Sequence, residues 1–422
     1  VVRDDLLRPD VERQLERIVS ADIVVGVPSY NNADTIGHVV GAVAGGLAKY
    51  YGDSPCVIVN SDGGSTDGTS DRVLTADHGP ALLVRERSRP LHRLTTSYLG
   101  VPGKGSALRT VFRVAERLGA KACAVVDADL RSISPDWVQL LVEPVLRGGA
   151  DFVAPLYARH KYDGTITNSI VYPFTRALYG QRIRQPIGGD FGFSGALAAH
   201  YLRSGGSWET DVARFGIDIW MTTRAVADGF SVAQAYLGAK IHNTKDPGAD
   251  LTAMFTQVVG TVFSLMSQYR ETWGAVQGSR DVPTYGFRYA VGVEPVHVNV
   301  ERMEAMFRRG AEDLMPVWER MLSAETCAAL AGAAAGTGRV TFPPELWVRT
   351  VCEVAASHHA GSLPRAHLLR AMIPLYLGRT AAFVTATADA DAAAVEEEIE
   401  RLGELYEAYK PYLIERWDGR RG

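Results

Sequence analysis

Cysteine is scarce in this chain: four among 422 residues, at positions 56, 123, 327 and 352, with no Cys-x-x-Cys pair. That spacing excludes a zinc ribbon and a disulfide framework, and points to reduced, buried thiols, two of them in apolar strand-like runs. An excess of one charge is also missing. Lys and Arg number 44 against 48 Asp and Glu, for a net charge of −4. A nucleic-acid surface built on basic excess is excluded, as is a polybasic membrane anchor. No apolar run reaches the ~20 residues of a membrane span. The first fourteen residues are charged and unlike a signal peptide, so a cytoplasmic location with no membrane partner is expected. There is no internal repeat; the alanine-rich stretches at 328–335 and 386–394 come closest. Two nucleotide-binding signatures are missing as well. The turn after the first strand-like run has no glycine, which excludes a dinucleotide fingerprint, and Gly103-Lys104-Gly105 lacks the spacing of a P-loop.

What is present is a composition of 46% hydrophobic and 22% charged residues, typical of soluble globular proteins. Residues 1–20 read as a leading helix. From about 21 to 275, apolar β-branched runs (Ile23–Val27, Val57–Val59, Ala81–Val84, Ala124–Val126, Phe152–Pro155) alternate with helical patterns such as Ile36, Val39, Val40, Val43 and Leu47. This alternation predicts an α/β domain with a mostly parallel central sheet, and such sheets bind ligands outside the carboxyl ends of their strands. Residues 85–102 read as a polar connection, and a long helix is expected from about Leu251 to Gln268. Residues 276–422 turn into alanine- and glutamate-rich helical text, with a last helix over 388–417. The pair His358-His359 is read as structural, because adjacent helical residues face different ways.

The focus of the first domain is Asp127-Ala128-Asp129, at the end of an apolar run. Strand alternation would send both carboxylates to one side. Two such acids repel unless a cation lies between them, and Mg²⁺ and Mn²⁺ are the usual partners of paired carboxylates and phosphates. Further polar turns fall at the same edge: Pro28-Ser29-Tyr30-Asn31-Asn32 after the first strand, Asp62 after the second, and Pro102-Gly103-Lys104-Gly105 ahead of a helix. Gln185-Pro186-Ile187-Gly188-Gly189-Asp190, Gly216-Ile217-Asp218 and Leu237-Gly238-x-x-x-His242 follow in order.

Taken together, this ordered set resembles the retaining GT-A glycosyltransferases that make mannosylglycerate and glucosyl-3-phosphoglycerate, over roughly 20–270. The resemblance implies a GT-A (Rossmann-like nucleotide-diphospho-sugar transferase) domain and a hexosyltransferase with a nucleotide-sugar donor such as UDP-glucose or GDP-mannose. It also implies a small hydroxy-acid acceptor and a divalent cation (Mg²⁺ or Mn²⁺), while the helical region from about 295 is expected to pack on the first domain or to mediate a homodimer. By the same resemblance Pro28, Ser29, Tyr30 and Asn32 would line the base pocket, and Asp62 would hold base or ribose. Lys104 would face the donor diphosphate or sugar and take part in catalysis. Asp127, with Ala128 beside it, would meet the ribose and share in the metal site; Asp129 and His242 would ligate the cation. Asp190, with Gly189 before it, and Asp218 would be the catalytic acids. Asp190 stands where the family usually has glutamate.

Family members that use 3-phosphoglycerate carry an arginine in Gly-Gly-Arg-x-Thr. Here the matching residues are Asp163-Gly164-Thr165-Ile166-Thr167, with Thr165 in the arginine's place and Thr167 in the threonine's. A threonine lacks the charged fork that selects phosphate, so an unphosphorylated acceptor such as glycerate is expected, with Arg159 or Lys161 on its carboxylate. Two other readings stay open: an inverting GT-A transferase acting on a polysaccharide or lipid, and a non-enzymatic nucleotide-sugar sensor.

Overall fold

The computed structural model describes residues 6–76, 89–241, 252–288 and 291–419. Its strands are β1 (Ile23–Ser29), β2 (Cys56–Asp62), β3 (Leu91–Ser97), β4 (Ala122–Val125), β5 (Phe152–Ala158), β6 (Gln181–Arg182), β7 (Phe191–Ser194), β8 (Val232–Ala239), β9 (Arg280–Asp281) and β10 (Thr284–Tyr285). The expected strand at Ala81–Val84 lies outside the described residues. The segment read as a polar connection instead supplies β3. It is an edge strand in which only Leu94 and Thr96 are buried, so its text is largely polar.

The chain divides into two compact units. The first comprises Val1–Ala158, Gln185–Asn243 and Val282–Val293. Its eight-stranded sheet runs β10-β8-β5-β7-β4-β1-β2-β3. All pairings are parallel except those of β7, which is antiparallel to β4 and β5. The predicted α/β class with a mostly parallel sheet is therefore observed. Strands β1, β2 and β4 are buried on both faces, hence the apolar runs Ile23–Val27, Cys56–Val59 and Ala122–Val125. The helices Ile36–Tyr51 and Pro135–Leu146 cover one face through Val39, Val43, Leu47, Val138 and Leu141. The leading helix, Pro9–Ile18, packs on the helix Lys104–Leu118.

The second unit comprises Arg159–Arg184, Thr244–Asp281 and Glu294–Gly422. This division corrects the expected boundary at 275/276: residues 159–184 and the helix Thr252–Gln268 belong with the helical text. Buried contacts within this unit account for the assignment. Trp347 Nε1 donates to the Ser169 carbonyl, and Arg176 is paired with Glu400 at 2.7 Å and with Glu407. Helices Val300–Met321 and Arg365–Ala386 approach closely through Gly310 against Pro374 and Gly378 against Phe307. The last expected helix is two, Ala392–Ala408 and Lys410–Gly419. All four cysteines are buried and unpaired in disulfides. Among the described residues no helix is long and apolar enough to cross a membrane.

Candidate active site

Topology brings several segments to the carboxyl edge of the first unit's sheet. Strand β4 stops at Val125, two residues short of Asp127, so the strand alternation expected to align Asp127 with Asp129 does not apply. The two acids have different surroundings. Asp127 accepts from Lys104 Nζ at 2.8 Å through Oδ1 and from Lys240 Nζ at 2.8 Å through Oδ2. Asp129 is half-buried, and among the described residues it has no hydrogen-bond or ion-pair partner.

Asp190 arrives because β7 runs antiparallel. Phe191 pairs with Val125, so the residue before it falls at β4's carboxyl end. Its Oδ1 accepts from the Asp127 amide at 2.8 Å; its Oδ2 accepts from Lys240 Nζ at 2.8 Å and from the Tyr157 hydroxyl. Asp190 is fully buried. Gly189 precedes it at φ +89°, and a Cβ there would lie 2.3 Å from Asp127 Oδ2, so both backbone and space require glycine.

Lys240 follows β8. The β5–β8 register shifts at Leu156/Tyr157, where Gly238 takes φ +81°. Such a bulge re-aims the side chains beyond it. Lys240 Nζ also donates to the Gly188 carbonyl at 2.7 Å and lies 5.2 Å from the Tyr157 ring centre. Its three protons therefore meet three acceptors. Neither Lys240 nor Tyr157 was singled out from sequence. The only signal was a lysine in a variable position of the Leu237-to-His242 motif.

Lys104 opens the helix Lys104–Leu118 and reaches Asp218 Oδ2 at 3.1 Å as well as Asp127. The flanking glycines allow this. A Cβ at Gly105 would fall 1.8 Å from the Val212 carbonyl, and one at Gly103 would fall 2.5 Å from that of Ala213. Asp218 is the second residue of the helix Ile217–Ala227, and its Oδ1 is buried without a partner.

The cluster thus sets three carboxylates against two ammonium groups. Burial would lift Asp127, but Lys104 and Lys240 override it and hold the carboxyl well below the ordinary range. Burial raises Asp190 against the pull of Lys240, and raises Asp218 against that of Lys104. Burial would lower Lys104, yet Asp127 and Asp218 more than reverse this and keep it charged. Within this set Asp218 Oδ1 is the one carboxylate oxygen that is buried without a hydrogen-bond partner.

The loops after β1 and β2 form one hydrogen-bonded surface. Asn31, at φ 53°, accepts from the Thr66 amide at 3.1 Å; the Asn32 amide donates to Thr69 Oγ1 at 2.9 Å, and Asn32 Oδ1 accepts from the Tyr30 amide. Asp62 receives four donors: Ser29 Oγ, Ser65 Oγ and the amides of Gly64 and Ser65. That fills a carboxylate's accepting capacity, so Asp62 and Ser29 shape the turn. Tyr30 is 65% exposed, with its ring against Gly63. Pro28 is half-buried within β1, and the Ala128 carbonyl accepts from Thr35 Oγ1 at 2.7 Å.

The cation expected from the resemblance has a partial set of ligands here. Asp129 suits it, with oxygens unclaimed among the described residues. Asp127 is less suited, because each of its oxygens already accepts from an ammonium group. His242 lies outside the described residues. Ile241, just before it, donates to Ser132 Oγ and accepts from the Arg131 amide, both at 2.9 Å. Among the described residues no group of three His, Cys, Asp or Glu could hold a metal.

The remaining candidates belong to the second unit. Arg159 Nη1 is 3.6 Å from Asp163, and Thr167 is buried. Lys161 is withdrawn as an acceptor ligand, because its ammonium caps the carbonyls of Thr387, Ala388 and Ala390 at 2.8–2.9 Å. Thr165 shares a 2.5 Å hydrogen bond with the Tyr376 hydroxyl and is buried.

An open, largely parallel sheet with polar loops and buried acids at its carboxyl edge, followed by a helical region, defines a GT-A fold. Residues 24–199 match the Glycosyl transferase family 2 model, from β1 into the helix after β7, and the protein is a glycosyltransferase. No curated protein matches the chain. Solved structures similar to it include glucosyl-3-phosphoglycerate synthase from Mycobacterium tuberculosis with Mg²⁺ and uridine diphosphate. That structure is 23% identical, covering 60% of this chain and 82% of that one at a TM-score of 0.44. The same enzyme with Mn²⁺, UDP-glucose and phosphoglyceric acid is 24% identical, with the same coverage and TM-score. A further mycobacterial protein is 23% identical over 61% of this chain and 78% of that one, at 0.42.

Proposed function

We propose that this glycosyltransferase moves a hexose from a nucleotide-sugar to a small hydroxy acid, with retention of configuration and with a divalent cation. The observation that carries the reading is the braced cluster at the sheet's carboxyl edge. Lys104 and Lys240 fix Asp127, Asp190 and Asp218, and that bracing leaves one buried carboxylate oxygen, Asp218 Oδ1, without a partner. Nucleotide-sugar transfer needs a site that tolerates charge building on a departing diphosphate, and preorganised cations and dipoles are the usual means.

Tyr30 offers an exposed ring to the base, while Asp62 and Ser29 hold the turn that presents it. Asp129, with His242, would hold the cation, which neutralises diphosphate charge when bound. Asp190 acts as a positioning residue that fixes the Asp127 backbone and Lys240. Asp218 accepts the acceptor's hydroxyl. Lys104 keeps Asp218 oriented and adds positive charge beside the leaving group. The threonine at 165, where the resembling family has a phosphate-gripping arginine, supports an unphosphorylated acceptor. The test is a panel of nucleotide sugars with Mn²⁺, followed by glycerate against 3-phosphoglycerate. Turnover with a higher kcat/KM for glycerate is expected; preference for the phosphorylated acid overturns the acceptor assignment.

Asp218 also favours a second reading, an inverting transferase acting on a polysaccharide or lipid. A carboxyl lifted by burial, with one unpaired oxygen, suits a general base. The product's anomeric configuration, read by NMR, separates the two.

A further inference from the structure

The helical unit holds a buried cation that its own acids leave unmatched. Arg379, on the helix Arg365–Ala386, is 9% exposed. Its Nη1 donates to the Phe342 carbonyl at 3.1 Å, and its Nε is buried with no partner. Among the described residues it forms no ion pair. Other largely buried arginines of the unit are matched: Arg176 by Glu400 and Glu407, Arg184 by Glu396. Burial pulls the Arg379 guanidinium down to about 10, so it is still charged near neutrality. A buried, unpaired charge is strongly unfavourable and calls for a counter-charge.

Beside it lies a cavity of about 20 Å³, where roughly 10–15 Å³ suffices for one water-sized occupant. Its walls include Phe383, Ile399 and Leu402, together with Asn168 and Thr380. The polar walls are already engaged. Asn168 bonds the Asp163 carbonyl and Arg184, and Thr380 Oγ1 bonds the Tyr376 carbonyl. The Arg379 guanidinium, with one N–H shown on the Phe342 carbonyl, is therefore the donor group that remains among the walls. A full positive charge, apolar walls and room for one small occupant suit a monatomic anion. Glu398 is the acid at the rim; it is about half exposed and paired with Arg401 at 2.5 Å.

We infer that this cavity binds a single small monovalent anion of the chloride class, held by Arg379, and that the anion completes the charge balance of the helical unit. The inference does not depend on the transferase reading.

The test is thermal unfolding of the full chain at constant ionic strength, with sodium gluconate, whose anion is too large for the cavity, replaced stepwise by sodium chloride. Tm should rise by roughly 2 °C for each tenfold increase in chloride above its Kd. R379Q should lose that rise, and E398Q should keep or strengthen it. Equal Tm in both salts, or an undiminished chloride effect in R379Q, overturns the inference. Should R379Q fail to fold, crystals of the wild-type protein in sodium bromide decide. An anomalous peak within hydrogen-bonding distance of the Arg379 guanidinium is expected, and an empty cavity overturns the inference.

Discussion

Asp218 and Lys240 carry the residue-scale argument. Replacing Asp218 with Asn keeps the size and removes the acceptor oxygen's charge. If Asp218 receives the acceptor's proton, kcat should fall roughly 10²–10⁴-fold with donor binding little changed. Unchanged kcat in D218N excludes the role. Because burial lifts Asp218, the acid limb of the wild-type pH–rate profile should fall above the ordinary carboxylate range. Activity is lost as pH drops through that raised value, where the group protonates. Lys240 has a different signature. Methionine there leaves Asp127 and Asp190 without their shared cation, and such losses cost about 3–5 kcal/mol, so urea unfolding of K240M should show a large drop. A variant as stable as the wild type would mean the pairing contributes little. Asp127 and Asp129 stand out in the sequence because two acids end an apolar run, whereas Lys104, Asp190 and Asp218 are picked out through the family resemblance. Lys240 is picked out by neither, because its approach depends on a bulge, which no residue pattern announces.

At the scale of elements, the site is built by two irregularities. Strand β7 runs against its neighbours, which puts Asp190 at the edge where the parallel strands end. Gly189 then passes against Asp127 at positive φ. G189A should destabilise the protein by more than about 1 kcal/mol and also abolish turnover, since the added methyl displaces the Asp127 carboxylate. Retained activity would show the turn to be tolerant. The sequence placed a glycine turn and an acid here but not the antiparallel strand, since four residues are too few to show a direction. In the helical unit, the helix Pro344–Ala360 ends near His358, whose ring nitrogens are buried without partners. Burial, helped by Arg365, lowers this imidazole from about 6.5 to about 4. A depressed histidine contributes stability that is full above its unfolded value and is lost as pH falls from about 6.5 towards 4, on the order of 3 kcal/mol. Tm measured across that window should fall less steeply in His358→Phe than in the wild type. Equal slopes would place the sensitivity elsewhere.

At the scale of the molecule, the α/β-then-helical plan was readable from the change in text near residue 300, but the division was not. Residues 159–184 read as a loop and helix of the first domain, and only their partners, such as Glu400 and Glu407 for Arg176, assign them to the helical unit. Those partners lie more than 200 residues away, beyond the reach of any local pattern. The family 2 match spans the first unit's core and part of the second.

The proposed sugar transfer would occur at the β4 edge with a cation held through Asp129. The most direct measurement is the rate of nucleoside diphosphate release from the preferred nucleotide-sugar, with Mn²⁺ and acceptor, in the wild type and in a folded D129N variant. The account predicts turnover in the wild type that is lost with chelator, and essentially none in D129N. Undiminished release by D129N, or by the wild type in chelator, would contradict it.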